Sequence, residues 1–290
     1  MASELVKDLI KSGCHFGHRT SRWNPKMAPY IFGKRNQIHI IDIRETVKGI
    51  LRARKFLSRV VSQGDDVLFV GTKRQARASV RSVAQQTSMH FVVERWLGGT
   101  LTNFRTIRSR LARLEELEAI ETDGMAGKYS KKMMATLNRE RRKIHRNLEG
   151  IRRMERLPGA LVLVDITREA NSALEARKLK IPVVGLIDTD SDPDQVDLAI
   201  PCNDDAMRAI ELILGQMGES IQAALRARPA PESDKDAQDR PARRSRRVTA
   251  RADESEGAVE QTGEGSPADA AAPAEQVDPA AEATKSDVPG

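Results

Sequence analysis

The feature that most constrains the fold is a series of short apolar runs that alternate with helical patterns. Three of these runs are almost continuously apolar: DVLFVG at 66–71, ALVLVD at 160–165 and IPVVGLID at 181–188. Strands that are apolar on both faces are typical of parallel sheets covered by helices on both sides. The alternation therefore predicts an α/β fold with a doubly wound parallel sheet.

Weaker patterns supply the other elements of this fold. Further strands are predicted at 38–42, 90–96 and 196–201, and helices at 44–62, 73–87 and 169–179. Asn203 or Asp204 could cap a final helix that runs to about residue 226. Because ligands of such sheets bind at the carboxyl ends of the strands, the loops there are the first place to expect a site.

Charge divides the chain into a basic part and an acidic tail. The 290 residues carry a net charge of +7, but residues 1–228 carry +13 and residues 229–290 carry −6. The tail contains 14 Ala and 7 Pro, and no aromatic residue follows Tyr129. Such a segment buries too little apolar surface to offset the cost of ordering, so the tail is predicted to be disordered. Its basic block at 240–247 is part of an inert solubilising extension, an RNA tether or a docking segment for another protein.

The same composition excludes several classes of protein. No apolar run approaches the ~18 residues of a membrane-spanning helix. The start of the chain, MASELVKDLIKSG, lacks the apolar stretch of a secretory signal, and Cys14 and Cys202 alone do not make a disulfide framework. The chain is therefore expected in the cytoplasm, and its basic part is cationic enough to indicate a polyanionic partner.

Residues 104–156 interrupt the strand–helix alternation with two long, charged helices. Apolar residues recur at helical spacing in each of them, at Phe104, Ile107, Leu111 and Leu114 and again at Leu137, Ile144, Leu148 and Ile151. Glycines within ETDGMAGKYS, at 121–130, separate the two helices. Narrow apolar stripes on charged helices favour an antiparallel coiled-coil hairpin inserted in the sheet domain. The alternative is a pair of ordinary helices packed on the sheet.

Sequence motifs for catalysis are absent. The chain has no G-x-G-x-x-G, no G-x-x-x-x-G-K-[ST] and no G-x-S-x-G. GTKR at 71–74 could offer Gly71, Thr72 and Lys73 to a phosphate, but a plain strand-to-helix connection explains it as well. We therefore predict that the protein is not an enzyme. A nucleotide- or sugar-phosphate-binding enzyme on the same fold is the competing hypothesis.

The acidic run DTDSDPD at 188–194 was a candidate for metal binding. It has the 1-3-5 spacing of a calcium loop, but Pro193 and Ala199 replace the glycine and the glutamate that such a loop requires. A divalent ion could still be shared at the strand ends by three aspartates: Asp188, Asp204 and Asp205. Helix capping and turn formation explain these residues more simply, so no cofactor is expected.

The basic residues form groups on several elements. On the second long helix, four of them make one stripe opposite the apolar residues: Arg139, Arg142, Lys143 and Arg146. Three more lie at or near the tip of the hairpin: Lys128, Lys131 and Lys132. An N-terminal group lies among the aromatic residues Trp23, Tyr30 and Phe32: Arg19, Arg22, Lys26, Lys34 and Arg35. The others are spread along the chain: Lys73, Arg74, Arg95, Arg105 and Arg108.

These groups have one chemistry in common. Cations neutralise phosphates and release counterions, while aromatic side chains stack on unpaired bases or pack within the loop. A cationic stripe by itself can be no more than a solvated helix face. Several such groups on different elements, without a single pocket, predict docking to a large folded polyanion.

Five segments, in this order, closely resemble the bacterial small-subunit ribosomal protein S2 family. They are GCHFGHRTSRWNPKMAPYIFG (13–33), VLFVGTKRQA (67–76), RWLGGTLTNFRTI (95–107), LPGALVLVDI (157–166) and IPVVGLIDTDSDPDQVDLAIPCNDDA (181–206). The resemblance covers essentially residues 3–226. It implies a flavodoxin-like parallel sheet with an inserted coiled-coil hairpin, and a structural, non-enzymatic role in translation.

The resemblance also implies partners. Members of the family bridge the RNA of the head and body of the small subunit and help recruit the messenger-binding protein S1, so small-subunit ribosomal RNA and other small-subunit proteins are expected partners. No membrane and no small-molecule substrate are implied. Besides the cationic face of the second long helix, the matching RNA-facing positions are His18, Arg19, Trp23, Asn24, Lys26 and Lys34.

Motifs and composition together predict how the chain is divided. Residues 1–36 form an N-terminal extension with an RNA-facing loop, and residues 37–228 form the α/β domain that contains the hairpin at 104–156. Residues 229–290 form the tail, about which the resemblance says nothing.

Overall fold

The structure is a computed structural model that describes residues 2–122 and 129–228 of the chain. The expectations for the tail at 229–290 and for Lys128 lie outside the described residues. Within the described ranges, no helix is at once long enough and apolar enough to pass through a membrane.

The helices and strands follow one another in the alternation that the sequence predicts. In chain order they are α1 (Ala2–Lys11), β1 (Phe16–Arg19), β2 (Ile31–Arg35), β3 (Ile38–Ile41), α2 (Ile43–Ser62), β4 (Val67–Val70), α3 (Arg77–Thr87), β5 (His90–Val92), α4 (Phe104–Thr122), α5 (Lys131–Leu148), β6 (Ala160–Val164), α6 (Ala170–Lys178), β7 (Val183–Ile187), β8 (Leu198–Pro201) and α7 (Met207–Ala227). From β3 onward, each element overlaps the stretch for which it was predicted, with ends that differ by a few residues.

Five parallel strands form the main sheet, in the order β5-β4-β6-β7-β8. Phe69 of β4 lies opposite Val162 of β6, which lies opposite Val184 of β7. Every residue of these three strands is buried, as their apolar sequences predict. The order is that of flavodoxin-like sheets, whose topological switch point here falls between β4 and β6. The predicted α/β fold with a parallel sheet is therefore confirmed.

Helices cover both faces of this sheet. Successive strand residues point to opposite faces, so Phe69 packs in a cluster with Ile213 of α7, and Leu68 packs in a second cluster with Leu148 of α5. Helices α2 and α3 share the first face with α7, while α4 and α6 share the second with α5. Each fully buried side chain of this size stabilises the fold by roughly 1.5–3 kcal/mol.

Helices α4 and α5 contact each other as well as the sheet. Near the sheet, Ile107 and Leu148 belong to the cluster on the second face. Leu114 and Leu137 are also buried, but outside that cluster. The sheet-proximal parts of the two helices are thus packed on the sheet, as the alternative hypothesis supposed. A coiled-coil seam between their remaining parts stays a prediction.

Two arginines tie α4 to the chain that returns from α5 to the sheet. The Nη2 atom of Arg152 lies 2.8 Å from Oε2 of Glu118, and Nη1 of Arg108 donates a 3.0 Å hydrogen bond to the carbonyl oxygen of Met154. These bonds fix the direction in which α4 leaves the sheet.

The edge strand β5 is covered by the residues that follow α5. Gly150 lies so close to β5 that a β-carbon there would overlap the carbonyl oxygen of Phe91 and come within 2.6 Å of its ring carbon Cδ2. Only glycine permits this approach, which shields an edge that would otherwise be open to pairing with other chains.

A second, antiparallel sheet precedes the main one, with the strand order β1-β3-β2. The sequence predicted β3 but not its two partners, so Lys34 and Arg35 lie on a strand rather than in a loop. The β2–β3 turn has positive φ at Asn36 (49°) and Gln37 (61°), as a type I′ hairpin turn requires. The N-terminal segment is therefore held by backbone pairing.

Candidate nucleic-acid interface

Three loops at the carboxyl edge of the main sheet bring a lysine and several carboxylates together. Lys73 follows β4, Asp165 follows β6, and Asp204 and Asp205 follow β8. The Nζ atom of Lys73 lies 2.7 Å from Asp204 Oδ1, 2.6 Å from Asp205 Oδ1 and 3.4 Å from Asp165 Oδ2. The loops converge because the carboxyl ends of parallel strands meet at one edge of the sheet.

Burial and neighbouring charges set the protonation of this cluster. Burial lowers the pKa of Lys73, but hydrogen bonds to Asp204 and Asp205 outweigh it and hold the pKa above its ordinary value. Burial raises the pKa of Asp204 to about 7, and the charges of Asp165 and Asp188 act in the same direction. Lys73 is therefore an ammonium directed at carboxylates, which accounts for it without an external phosphate.

His18 joins the cluster from strand β1. Its Nδ1 lies 3.0 Å from Asp188 Oδ2, and its Nε2 lies 3.5 Å from Asp205 Oδ2. The hydrogen bond to Asp188 raises the pKa of His18 to about 9, although burial opposes the shift. His18 is therefore a cation at neutral pH, and its charge serves the attachment of β1 to the main sheet.

The same residues include donors that could hold a divalent ion. One ligand atom from each of His18, Asp188 and Asp204 lies within 4.8 Å of the other two. Asp205, the third aspartate proposed from the sequence, is half-exposed beside them. Imidazole and carboxylate together suit zinc. The ammonium of Lys73 already neutralises Asp204, so the arrangement does not require a metal.

The acidic run at 188–194 holds the N-terminal segment. The backbone N–H of His18 donates to Thr189 Oγ1 at 2.9 Å, and the backbone N–H of Asn24 donates to the carbonyl oxygen of Thr189 at 2.8 Å. A β-carbon at Gly17 would lie 2.5 Å from Thr189 Cγ2, so glycine is required for this close approach. The run that resembled a calcium loop is a backbone docking site.

Lys26 adds an ion-pair contact to this docking. Its Nζ lies 3.0 Å from Asp192 Oδ2 and 2.6 Å from Asp194 Oδ2. The hydrogen bond from Lys26 lowers the pKa of Asp192. Lys26 was predicted to contact RNA, but the structure directs its ammonium at two carboxylates of the acidic run.

Asn24 is half-buried, and its Oδ1 accepts a 3.0 Å hydrogen bond from the backbone N–H of Lys26, while the other predicted residues of the N-terminal segment face solvent. Trp23 is 38% exposed, and its ring centroid lies 5.1 Å from that of His39. Four cations are exposed and form no ion pair with any residue that the structure describes: Arg19, Arg22, Lys34 and Arg35. The structure thus separates the predicted N-terminal cations into an anchored pair, His18 and Lys26, and four that are free to meet a ligand.

The stripe predicted on the second long helix lies on α5. All four of its cations are exposed, and none forms an ion pair within residues 2–122 and 129–228: Arg139, Arg142, Lys143 and Arg146. Lys131 and Lys132 are exposed in the first turn of the same helix. The hydroxyl of Ser130 caps this turn by accepting a 3.3 Å bond from the N–H of Met133. The stripe is therefore a continuous cationic face.

The remaining predicted cations lie on other elements, and no contact among the described residues joins them to the stripe on α5. Arg74 and Arg95 are exposed in the loops that follow β4 and β5. Arg105 and Arg108 are exposed on α4, where the guanidinium of Arg108 is already bound to a carbonyl oxygen.

At the switch point of the sheet, a side chain of the protein occupies the place where such folds bind anions. The backbone N–H of Thr72 donates to Glu169 Oε1 at 3.0 Å, and the Thr72 hydroxyl donates to the same oxygen. Burial raises the pKa of Glu169, although both bonds from Thr72 oppose the shift. The donors that GTKR could have offered to a phosphate are thus used internally. Sequence alone gives no signal for this, because Glu169 looks like an ordinary residue at the start of the helix predicted at 169–179.

Comparison with known proteins gives a consistent result over most of the chain. A family model described as "Ribosomal protein S2" matches residues 9–224. The chain is 57% identical over 242 residues to a protein from Rhodopirellula baltica named "Small ribosomal subunit protein uS2". That match covers 80% of this chain and 93% of the relative.

Proposed function

Because the chain belongs to the ribosomal protein S2 family, we propose that it is a structural constituent of the small ribosomal subunit and acts in translation by binding small-subunit ribosomal RNA. The family expected from five sequence motifs is the family found, and the expectation that the chain is not an enzyme is confirmed with it. We further propose which surfaces contact the RNA and which other partners the protein has.

The free cationic face of α5 is the observation that carries the proposal. Four exposed cations in one line, without carboxylate partners in the described part of the chain, match the spaced charges of an RNA backbone. Lysine and arginine that neutralise phosphates release condensed counterions, which supplies affinity without reading sequence. A solvated helix face of no function would more commonly alternate its charges, as in i, i+4 pairs.

The N-terminal segment is proposed as the second RNA contact. Its anchored cations, His18 and Lys26, hold β1 and the following turn against the acidic run. Its free cations lie on the segment so fixed, which also exposes the ring of Trp23, and an unpaired base could stack on that ring. We assign RNA contact to the free cations and a positioning role to the anchored ones.

Helices α4 and α5 are proposed to form an antiparallel coiled-coil arm beyond their sheet-proximal parts. Leu114 and Leu137 support this, because both are buried although neither belongs to the cluster on the sheet. Arg113 of α4 and Glu140 of α5 lie 3.8 Å apart, a pairing typical of positions that flank an apolar seam. Such an arm would carry the cationic face of α5 to RNA away from the sheet.

Family resemblance supports three further parts of the proposal. The protein would bridge RNA of the head and body of the small subunit, support recruitment of the messenger-binding protein S1, and reside in the cytoplasm on the ribosome. Two RNA-binding surfaces on different elements, one on α5 and one at the N-terminal segment, are what a bridging role requires.

Titration of small-subunit ribosomal RNA with the purified full-length chain at several salt concentrations tests the proposal. The logarithm of the affinity should fall linearly with the logarithm of the salt concentration, with a slope of roughly −0.7 to −0.9 per phosphate contacted. A panel of nucleotides and sugar phosphates should bind negligibly. Tight binding of one of these small molecules, with a flat salt response for RNA, would instead favour the enzyme hypothesis.

A further inference from the structure

A groove runs along the outer edge of strand β5, between α3 and the residues that follow α5. Its two halves have volumes of about 560 and 320 Å³ and share Gln85, Phe91, Glu149 and Gly150 in their walls. Both volumes lie within the range of ligand pockets, roughly 300–1,000 Å³. The close approach of Gly150 to Phe91 makes the floor on which the two halves meet.

The walls of this groove carry three arginines. Arg81 comes from α3, Arg146 from α5, and Arg153 from the residues that follow α5. All three are exposed, and none forms an ion pair with a residue in the described ranges. Arg146 is also the last member of the cationic stripe on α5, so the groove continues the surface already proposed to meet RNA.

The two acidic groups of the groove lie beside side-chain nitrogens of neighbouring residues. Glu149 Oε2 lies 3.2 Å from His145 Nε2, and Glu115 Oε1 lies 3.9 Å from Arg152 Nε. With Arg152, the groove carries four arginines against these two carboxylates, so its net charge is positive and favours an anion.

An aromatic ring in the floor specifies the kind of anion. Phe91 is half-buried, and the guanidinium carbon of Arg81 lies 5.9 Å from the centre of its ring. Aromatic rings and guanidinium planes are the surfaces on which unpaired nucleic-acid bases stack. The side-chain amide of Gln85 has no hydrogen-bond partner among the described residues, so it can pair with the edge of a base.

We propose that this groove binds an unpaired nucleotide of RNA. The base stacks at Phe91 and Arg81, Gln85 faces the edge of the base, and Arg146 and Arg153 neutralise the flanking phosphates. A double-stranded RNA helix does not fit the site, because its bases stack on one another and only its phosphates can contact the groove. The inference rests on the proposed function, since it requires that the chain meets RNA, and it adds a base-recognition site to a surface that otherwise binds phosphates.

Ultraviolet cross-linking of the full-length chain to small-subunit ribosomal RNA tests the site directly. After digestion with trypsin, mass spectrometry should find a nucleotide attached to the peptide of residues 82–95, which contains Gln85 and Phe91. Cross-links elsewhere on the chain, with none in this peptide, would overturn the proposal while leaving RNA binding in place.

Substitution of Phe91 gives an independent measurement. Phe91→Leu keeps an apolar side chain but removes the stacking surface, so RNA affinity should fall by about tenfold. The salt slope should not change, because no phosphate contact is lost. Phe91→Tyr should restore the affinity. Phe56→Leu is the matched control, because Phe56 is also half-buried and packs against the same core cluster but does not line the groove.

The outcomes separate this inference from the proposed function. If Phe91→Leu binds RNA as the wild type does, while loss of the cationic stripe on α5 weakens binding, the groove is not a base site and the proposed function stands. If the wild type itself shows no salt-dependent RNA binding, both fail. If Phe91→Leu is unstable in urea, Arg81→Met decides instead, because Arg81 is exposed and its loss should weaken binding by a similar factor without unfolding the chain.

Discussion

The indole Nε1 of Trp96 donates a 3.0 Å hydrogen bond to Oε1 of Glu175 on α6. The same carboxylate accepts bonds of 2.8–3.2 Å from the backbone N–H groups of Gly99, Leu101 and Thr102. Burial raises the pKa of this carboxyl, but the hydrogen bonds outweigh burial and hold the pKa below its ordinary value. One side chain thus fixes the loop that leads into α4.

We expect Glu175→Gln to lower the free energy of unfolding by about 2–4 kcal/mol, because an amide accepts fewer of these bonds and places donors against donors. Urea denaturation measures this. Glu116→Gln is the control, since Glu116 is 63% exposed and, among the residues that the structure describes, is paired only with Arg113; it should change stability by no more than about 0.5 kcal/mol. Equal effects of the two changes would mean that the carboxylate does not organise the loop.

Gly150→Ala should destabilise the protein by roughly 1–3 kcal/mol, because the new methyl group overlaps Phe91 and must push the end of α5 away from β5. Gly215→Ala in α7 is the matched control. Apart from the backbone of its own helix, no described atom lies within 4 Å of a β-carbon at Gly215, so the same change there should stabilise by about 0.5–1 kcal/mol. Thermal denaturation should show a lower melting temperature than the wild type for Gly150→Ala and a higher one for Gly215→Ala.

Stability should fall as the pH rises through the range in which His18 titrates. Its pKa is raised from 6.5 to about 9 by Asp188, so the stabilising contribution is complete below pH 6.5 and is lost as the pH passes 9. The loss is up to about 3 kcal/mol. Asp204 acts in the same direction but at lower pH, between 3.8 and about 7.

His18→Gln isolates this contribution. Urea titrations at several pH values above 7 should show a decline for the wild type and a flatter curve for the variant. His145→Gln, on the exposed surface of α5, should keep the decline of the wild type. Parallel curves for all three proteins would contradict the assignment to His18.

Loss of the cationic stripe should weaken RNA binding without unfolding the protein. Changing its four residues to Gln should reduce the magnitude of the salt slope by roughly 3, while stability changes by within about 0.5 kcal/mol per site. A control with the same loss of charge replaces four exposed cations on α2 and α7 with Gln: Arg52, Lys55, Arg59 and Arg226. If the control weakens RNA binding as much as the stripe variant, net charge alone explains the affinity.

Removal of residues 229–290 should tighten RNA binding at low salt. The truncation raises the net charge from +7 to +13, so the attraction to phosphates increases. The effect should fade at physiological salt, where charges are screened beyond about 8 Å. RNA titrations of full-length, 1–228 and 1–250 chains at two salt concentrations measure it. Weaker binding of the 1–228 chain would instead indicate that the basic block at 240–247 contacts RNA.

The sequence predicts those strands and helices whose residue pattern is compatible with only one kind of secondary structure. Strands β4, β6 and β7 are apolar throughout, and the burial of every residue in them agrees with that pattern. Strands β1 and β2, with the sequences FGHR and IFGKR, mix glycine and charge with apolar residues and give no such signal. Their pairing depends on β3 and on a turn in which two non-glycine residues, Asn36 and Gln37, adopt positive φ.

In the candidate site, likewise, only the residues that follow a local sequence pattern could be predicted as a group. The stripe on α5 follows from helical periodicity, because all of its members lie within one stretch of chain. The partners of Lys73 and Lys26 lie 131 and 166 residues away in the sequence, at Asp204 and Asp192. No local pattern connects residues at such separations, so the sequence groups these cations with those predicted to bind RNA, although the fold pairs both of them with carboxylates.

The docking of Gly17 and His18 on Thr189 has a thermodynamic consequence for the N-terminal segment. Many basic segments that bind RNA are unstructured until they bind, and each residue they order then costs about 1–2 kcal/mol of conformational entropy. Here the segment is ordered when the protein folds, because the acidic run and the antiparallel sheet hold it. Binding therefore does not have to order it again. The proposed RNA contacts of Arg19, Arg22, Lys34 and Arg35 would thus be made from a rigid platform, with more of their interaction energy available as affinity.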